Sequence, residues 1–126
     1  MISDMYTEMI LDYYRNPRNK GTLKNPDVTV RDSNPLCGDV IEMQMKVEKG
    51  KIKDIKFSGS GCAISTASAS MLTEVVKGKS LKEAEQLDKK DVLKLLGIDI
   101  SAVRLKCALL PLKVLKMAVY SYKGRK

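Results

Sequence analysis

The 126-residue sequence predicts an α+β fold, on three observations. An amphipathic helical stretch opens the chain, two alternating strand-like runs occupy its middle, and at least three helical stretches with start signals of their own follow. Strands gathered in one block and helices in another give α+β rather than an alternating βαβ order. With 44% apolar residues the chain can build one ordinary core, and residues 1–126 are read as a single domain.

Residues 4 to 15 carry Met5, Met9 and Tyr13 with Tyr6 and Ile10 beside them, the spacing of a helix with one apolar face. Pro17 stops it, and Asn16 before the proline is biased out of the helical region. A loop or short strand follows at "VTV", residues 28 to 30. From Val40, Ile41, Met43, Met45 and Val47 alternate with Glu42, Gln44, Lys46 and Glu48, which predicts a half-buried strand. After the turn at "EKGK", residues 51 to 58 place Ile55 and Phe57 on one face and pair with it as an antiparallel hairpin, although Ile52 falls out of phase.

Gly59 and Gly61 flex the chain before Cys62, and Ile64, Ala67, Met71, Leu72 and Val75 then recur at helical spacing until Gly78. Cys62 is thereby placed at a helix N-terminus. Ser80 with Glu83 reads as a capping box for a short helix, and Asp88 with Asp91 opens another through Leu96. The last helix buries Leu112, Leu115 and Val119. Pro111 breaks a helix beyond its first turn, so this one is expected to begin near Cys107 to Leu110, with Cys107 also at a helix N-terminus.

Composition narrows the function. The net charge of +8 comes from lysines scattered along the chain, and Phe57 is the only phenylalanine. No basic stripe with interleaved aromatics appears, so nucleic acid is not expected as a partner. No apolar run approaches the 18 or more residues of a membrane span, and "MISDMYTEMI" lacks the basic start and apolar stretch of a secretory signal. A cytoplasmic protein with no membrane association is expected. The serines and threonine from Ser65 to Ser70 form no nucleophile box, because the sequence has no histidine to activate a hydroxyl. The methionines at 43, 45 and 71 fall on apolar faces and read as core.

Three cysteines, at 37, 62 and 107, are spaced too widely for a disulfide framework. Cys37 sits on the Pro/Gly loop "NPLCGDV", and the other two are expected where helix N-termini offer partial positive charge that favours a thiolate. Asp39 adds a hard oxygen two residues from Cys37. Three thiolates and one carboxylate make a four-donor site suited to zinc or to iron in a cluster. The alternative is that Cys62 and Cys107 are small buried residues and that Cys37–Gly38–Asp39 is a turn; separations of 25 and 45 residues match no compact zinc-finger pattern.

"NPLCGDVIEMQMKV", "FSGSGCAISTASASMLTEVVKGKS" and "RLKCALLPLKVLKMAVYSY" resemble the three cysteine-bearing blocks of the U-type iron–sulfur cluster assembly scaffolds, the family of IscU, SufU and the N-terminal domain of NifU; "MYTEMILDYYRNPRNKG" is similar as well. The resemblance implies a small three-stranded antiparallel sheet with helices packed against it and three loops converging at one end. It also implies that Cys37, Asp39, Cys62 and Cys107 hold a [2Fe–2S] cluster, or alternatively Zn2+ or Fe2+, with Asp39 tuning release. The implied activity is assembly of that cluster with sulfur from a cysteine desulfurase, followed by transfer to apo iron–sulfur recipient proteins. Cys107 or Cys37 is the implied persulfide acceptor, a carrier's role more than an enzyme's.

Two departures shape the expectation. Lys106 precedes Cys107 where IscU-type members have histidine, as in the zinc-binding SufU type with its R-x-K-C pattern, here Arg104 to Cys107. An auxiliary role for Lys106 is to offset cluster charge; otherwise it simply faces solvent. The insertion that SufU members carry between the second and third cysteines is missing. "DISAVRLK" also lacks the Leu-Pro-Pro-Val-Lys motif through which IscU proteins engage a dedicated Hsp70 chaperone, so that partner is not expected. Lys113, Lys116, Lys123 and Arg125 make the last helix basic, a solvated face or a dock for an acidic desulfurase surface. The second function carried forward is a zinc-dependent sulfurtransferase of SufU type using the same four residues.

Overall fold

The computed structural model describes residues 2–36 and 38–124, with side chains from Met5 onward. Cys37 and Arg125 lie outside the described residues. The order is α1 (Ile2–Arg15), β1 (Val28–Asn34), β2 (Asp39–Glu48), β3 (Lys51–Ser60), α2 (Ala63–Val76), α3 (Leu81–Glu85), α4 (Lys89–Leu96) and α5 (Ala102–Lys123). The strands form one antiparallel sheet in the order β1-β2-β3. This is the expected α+β architecture.

Alternation along β2 buries Ile41, Met43, Met45 and Val47 on one face. α5 covers that face over β1 and β2, and α2 covers it over β3. Between them lies one apolar cluster, which includes Phe57, Val114 and Leu115. A second cluster, with Ile10, Leu72, Val92 and Leu112, joins α1 and α4 to the outer sides of α2 and α5. Met71 belongs to that second cluster and Met43 and Met45 to the first, as the sequence indicates. Met5, expected on the buried face of α1, is exposed, while Ile10 carries the packing.

The phase error at Ile52 has a structural cause. β2 and β3 shift register between Lys46 and Val47, with Lys46 opposite Asp54 and Val47 opposite Ile52. Lys53 is thus an extra residue, a bulge that returns Ile52 to the inner face beside Ile55. Both are fully buried. The hairpin turns through Lys49 and Gly50, whose φ values of 53° and 76° give the left-handed pair that two-residue hairpins prefer.

β1 runs four residues past "VTV", through Arg31, Asp32, Ser33 and Asn34, because β2 supplies a partner for every one of them. Polar composition masked this from a reading of local preference. Both expected capping boxes are present: Ser80 Oγ accepts from the Glu83 N–H while Glu83 accepts from the Ser80 N–H, and Asp88 and Asp91 do the same.

α5 corrects the expectation for the last helix. It begins at Ala102, with Ser101 accepting from the Arg104 N–H, and runs through Pro111. Cys107 therefore lies in its second turn rather than at its N-terminus. Pro111 cannot donate to the Cys107 carbonyl, and its ring disturbs the preceding turn. α2 packs against that turn, and the buried Ser68 hydroxyl donates to the neighbouring Ala108 carbonyl at 2.7 Å. The small side chains of α2 allow this approach.

Candidate metal centre

The first donor enters from the start of β2. Asn34 and Asp39 face each other across the β1–β2 pair. The connection between them is drawn in by Asn34, whose side-chain oxygen accepts from the Leu36 N–H at 3.0 Å and whose carbonyl accepts from the Gly38 N–H at 2.8 Å. Gly38 adopts φ +76°, a conformation glycine takes at little cost. Asp39 is then 4% exposed. A carboxylate so deeply placed needs partners, and it has them: Oδ1 accepts from the Cys62 N–H at 3.2 Å, and the Cys62 Sγ lies 3.5 Å from Oδ2.

The second donor sits at the corner between β3 and α2. Cys62 is the N-cap residue of α2, extended at φ −71° and ψ 172°, as the sequence indicates. The last strand residues pass very close to the start of β2. A Cβ on Gly59 would lie 2.1 Å from the Val40 carbonyl oxygen, and one on Gly61 would lie 2.3 Å from Ser65 Oγ and 3.3 Å from Asp39 Cγ. These glycines are there for close approach rather than for flexibility. Cys62 is half-buried and, like Cys107, is not in a disulfide.

The third donor arrives from the side of α5. Cys107 is 1% exposed, on the flank of α5 and without the helix-end position expected for it. The ligand atoms of Asp39, Cys62 and Cys107 all lie within 4.8 Å of one another. Elements 23 and 45 residues apart in sequence thus deliver one oxygen and two sulfurs to one point. That span suits simultaneous coordination of a single ion or of neighbouring irons, and mixed carboxylate and thiolate donors are compatible with zinc and with iron. Cys37, the fourth expected donor, lies outside the described residues.

Lys106, next to Cys107, is exposed and lines a shallow groove with Pro35, Leu109 and Lys113. Lys113 pairs with Asp32 at 2.9 Å and holds that carboxyl below the usual carboxylate range. Two exposed apolar side chains, Leu36 and Val103, sit on the segments that lead into Asp39 and Cys107. Ser65 is the neighbour that sequence reading missed. Its signal was its place three residues after an N-cap cysteine, the reach of a side chain back to the start of its own helix.

The NifU-like N-terminal domain family matches residues 5–126. The zinc-dependent sulfurtransferase SufU of Bacillus subtilis strain 168 is 37% identical, over 98% of this chain and 95% of its own length. The iron–sulfur cluster assembly scaffold protein IscU of Escherichia coli K12 is 38% identical, over 96% of each chain. The crystal structure of a nitrogen-fixing NifU-like protein (N-terminal) from Brucella abortus superposes with a TM-score of 0.78 at 22% identity over 99% of each chain, a likeness of fold.

Proposed function

The chain belongs to the NifU-like N-terminal domain family, and from that premise we propose that it is a scaffold for iron–sulfur cluster assembly, the work named for its IscU relative. Its cargo is a [2Fe–2S] cluster, built from iron, from sulfur delivered by a cysteine desulfurase and from electrons of an external reductant that take the persulfide sulfur to sulfide, and passed to apo recipient proteins. Residues 1–126 act as one unit, in the cytoplasm, where thiols stay reduced. The observation that carries the reading is the convergence of the Asp39, Cys62 and Cys107 ligand atoms, with Cys37 as the fourth donor.

The chemistry of the donor set supports a carrier. An oxygen among three sulfurs holds soft iron less firmly than a fourth thiolate, so the cargo can leave. Burial and the Cys62 N–H hold the Asp39 carboxylate in place beside Cys62. Sulfur arrives when the thiolate of Cys107 or Cys37 attacks the terminal sulfur of the desulfurase persulfide. The S–S bond breaks, the donor leaves as a thiolate, and the persulfide then stands on this chain.

A second reading is a zinc-dependent sulfurtransferase. It is favoured by the SufU relative and by exposed Lys106, which cannot act as the imidazole ligand of IscU-type members. Anaerobic reconstitution with ferrous iron, cysteine, a desulfurase and dithiothreitol as reductant separates the two. The scaffold gives a visible-absorbing chromophore with two irons and two sulfides per chain, abolished by Cys62→Ala. A tightly held colourless zinc ion that blocks iron uptake while desulfurase turnover rises would overturn that reading and establish the transferase.

A further inference from the structure

Ser65 is fully buried beside the three donors. Its hydroxyl donates to the Cys62 carbonyl at 3.2 Å, and its Oγ lies 3.8 Å from the Cys62 Sγ. The carbonyl does not depend on it, because it already accepts from the Thr66 N–H at 3.0 Å. Gly61 leaves room for the oxygen, since a Cβ there would stand 2.3 Å from it. A hydroxyl is thus kept against the sulfur although the backbone can do without it.

A protonated Cys62 thiol has two acceptors, Asp39 Oδ2 at 3.5 Å and Ser65 Oγ at 3.8 Å. Once that sulfur is a metal-bound thiolate it has no proton to give and becomes an acceptor. The Asp39 carboxylate cannot donate. The Ser65 hydroxyl can, by turning its hydrogen about the Cβ–Oγ bond with no heavy atom leaving its place.

We infer that Ser65 is a positioning residue whose hydroxyl turns from the Cys62 carbonyl to the Cys62 sulfur when that sulfur binds metal. This rests on the reading of Cys62 as a ligand. A hydrogen bond to a ligating sulfur stabilises the thiolate and orients it toward the metal, so Ser65 tunes how firmly Cys62 holds its cargo.

Cobalt(II), titrated anaerobically into the full chain, is the probe, read by its sulfur-to-cobalt charge-transfer absorption. Ser65→Ala removes one oxygen and leaves the carbonyl paired, so the fold is retained. The variant is expected to move the band to lower energy and to weaken cobalt affinity by about 10–100-fold, the usual effect of losing a partner to a metal ligand. Ser70→Ala is the control. Ser70 is a buried serine of the same helix that accepts from the Arg18 N–H at 2.7 Å, and its loss is expected to leave the band where it is. An unmoved band in Ser65→Ala, or an equal shift in Ser70→Ala, overturns the inference. Absence of a thiolate band in the parent chain would instead remove the reading on which it rests.

Discussion

Adding one methyl group at Gly61 should damage the site through a contact that can be named. An alanine Cβ there lies 2.3 Å from Ser65 Oγ, and Asp39 Cγ is 3.3 Å away on the other side. Ser65 and Asp39 are both buried, so neither has open space to swing into. Gly61 is not in the left-handed region, which makes the cost one of packing alone. Overpacking of this kind costs about 1–3 kcal/mol, and the stiffer unfolded chain returns about 0.4–1 kcal/mol. A net loss of about 1–2 kcal/mol is expected. With a urea dependence of about 1–3 kcal/mol per molar, the unfolding midpoint should fall by roughly 0.5–1 M. The cause is isolated by adding Ser65→Ala, which removes the clashing oxygen. The double variant should recover most of the loss, a coupling of about 1 kcal/mol or more. Effects of the two substitutions that add to within about 0.5 kcal/mol, or a Gly61→Ala protein as stable as its parent, would refute the reasoning.

Three other outcomes follow from the same structure. Asp39→Ala should lengthen the life of a reconstituted cluster, measured as decay of its visible absorption; faster decay would remove Asp39 from the role of labile ligand. Tyr13 donates to Glu74 at 2.5 Å, and that bond raises its pKa above the usual tyrosine value. Its stabilisation is therefore complete below about pH 10 and is lost as the pH climbs through the raised value. Tyr13→Phe should cost about 0.5 kcal/mol at pH 8, a gap in urea stability that closes in more alkaline solution. Lys49 holds φ 53° in the hairpin turn, a conformation asparagine adopts more readily. Lys49→Asn should raise stability by about 0.5 kcal/mol, seen as a higher urea midpoint without a change in slope.

Where local chemistry and packing agree, the sequence was legible. Alternation in β2 and the two capping boxes depend on residues a few positions apart, and they stand as expected. The misses share a different origin. Ile52 is out of phase in the sequence because the bulge that restores it is a property of the pair β2–β3. β1 is longer than its apolar residues because β2 pairs with the polar ones. α5 begins nine residues before Pro111, at the Ser101 cap, and packs that turn against α2, where Ser68, forty residues earlier, bonds to the Ala108 carbonyl. The four candidate ligands are named from residue type and resemblance, and three of them converge, whereas Ser65 and the tight fit of Gly61 arise only once β3 and α2 turn their corner against Asp39.

The bond from Ser68 to Ala108 also ties the two sulfurs together mechanically. It joins the helix headed by Cys62 to the carbonyl immediately after Cys107, and the Cys62 N–H fastens that same helix to Asp39. α2 is therefore bonded directly to the elements that carry Asp39 and Cys107. A displacement of α5 along α2 would have to break the bond from that single hydroxyl.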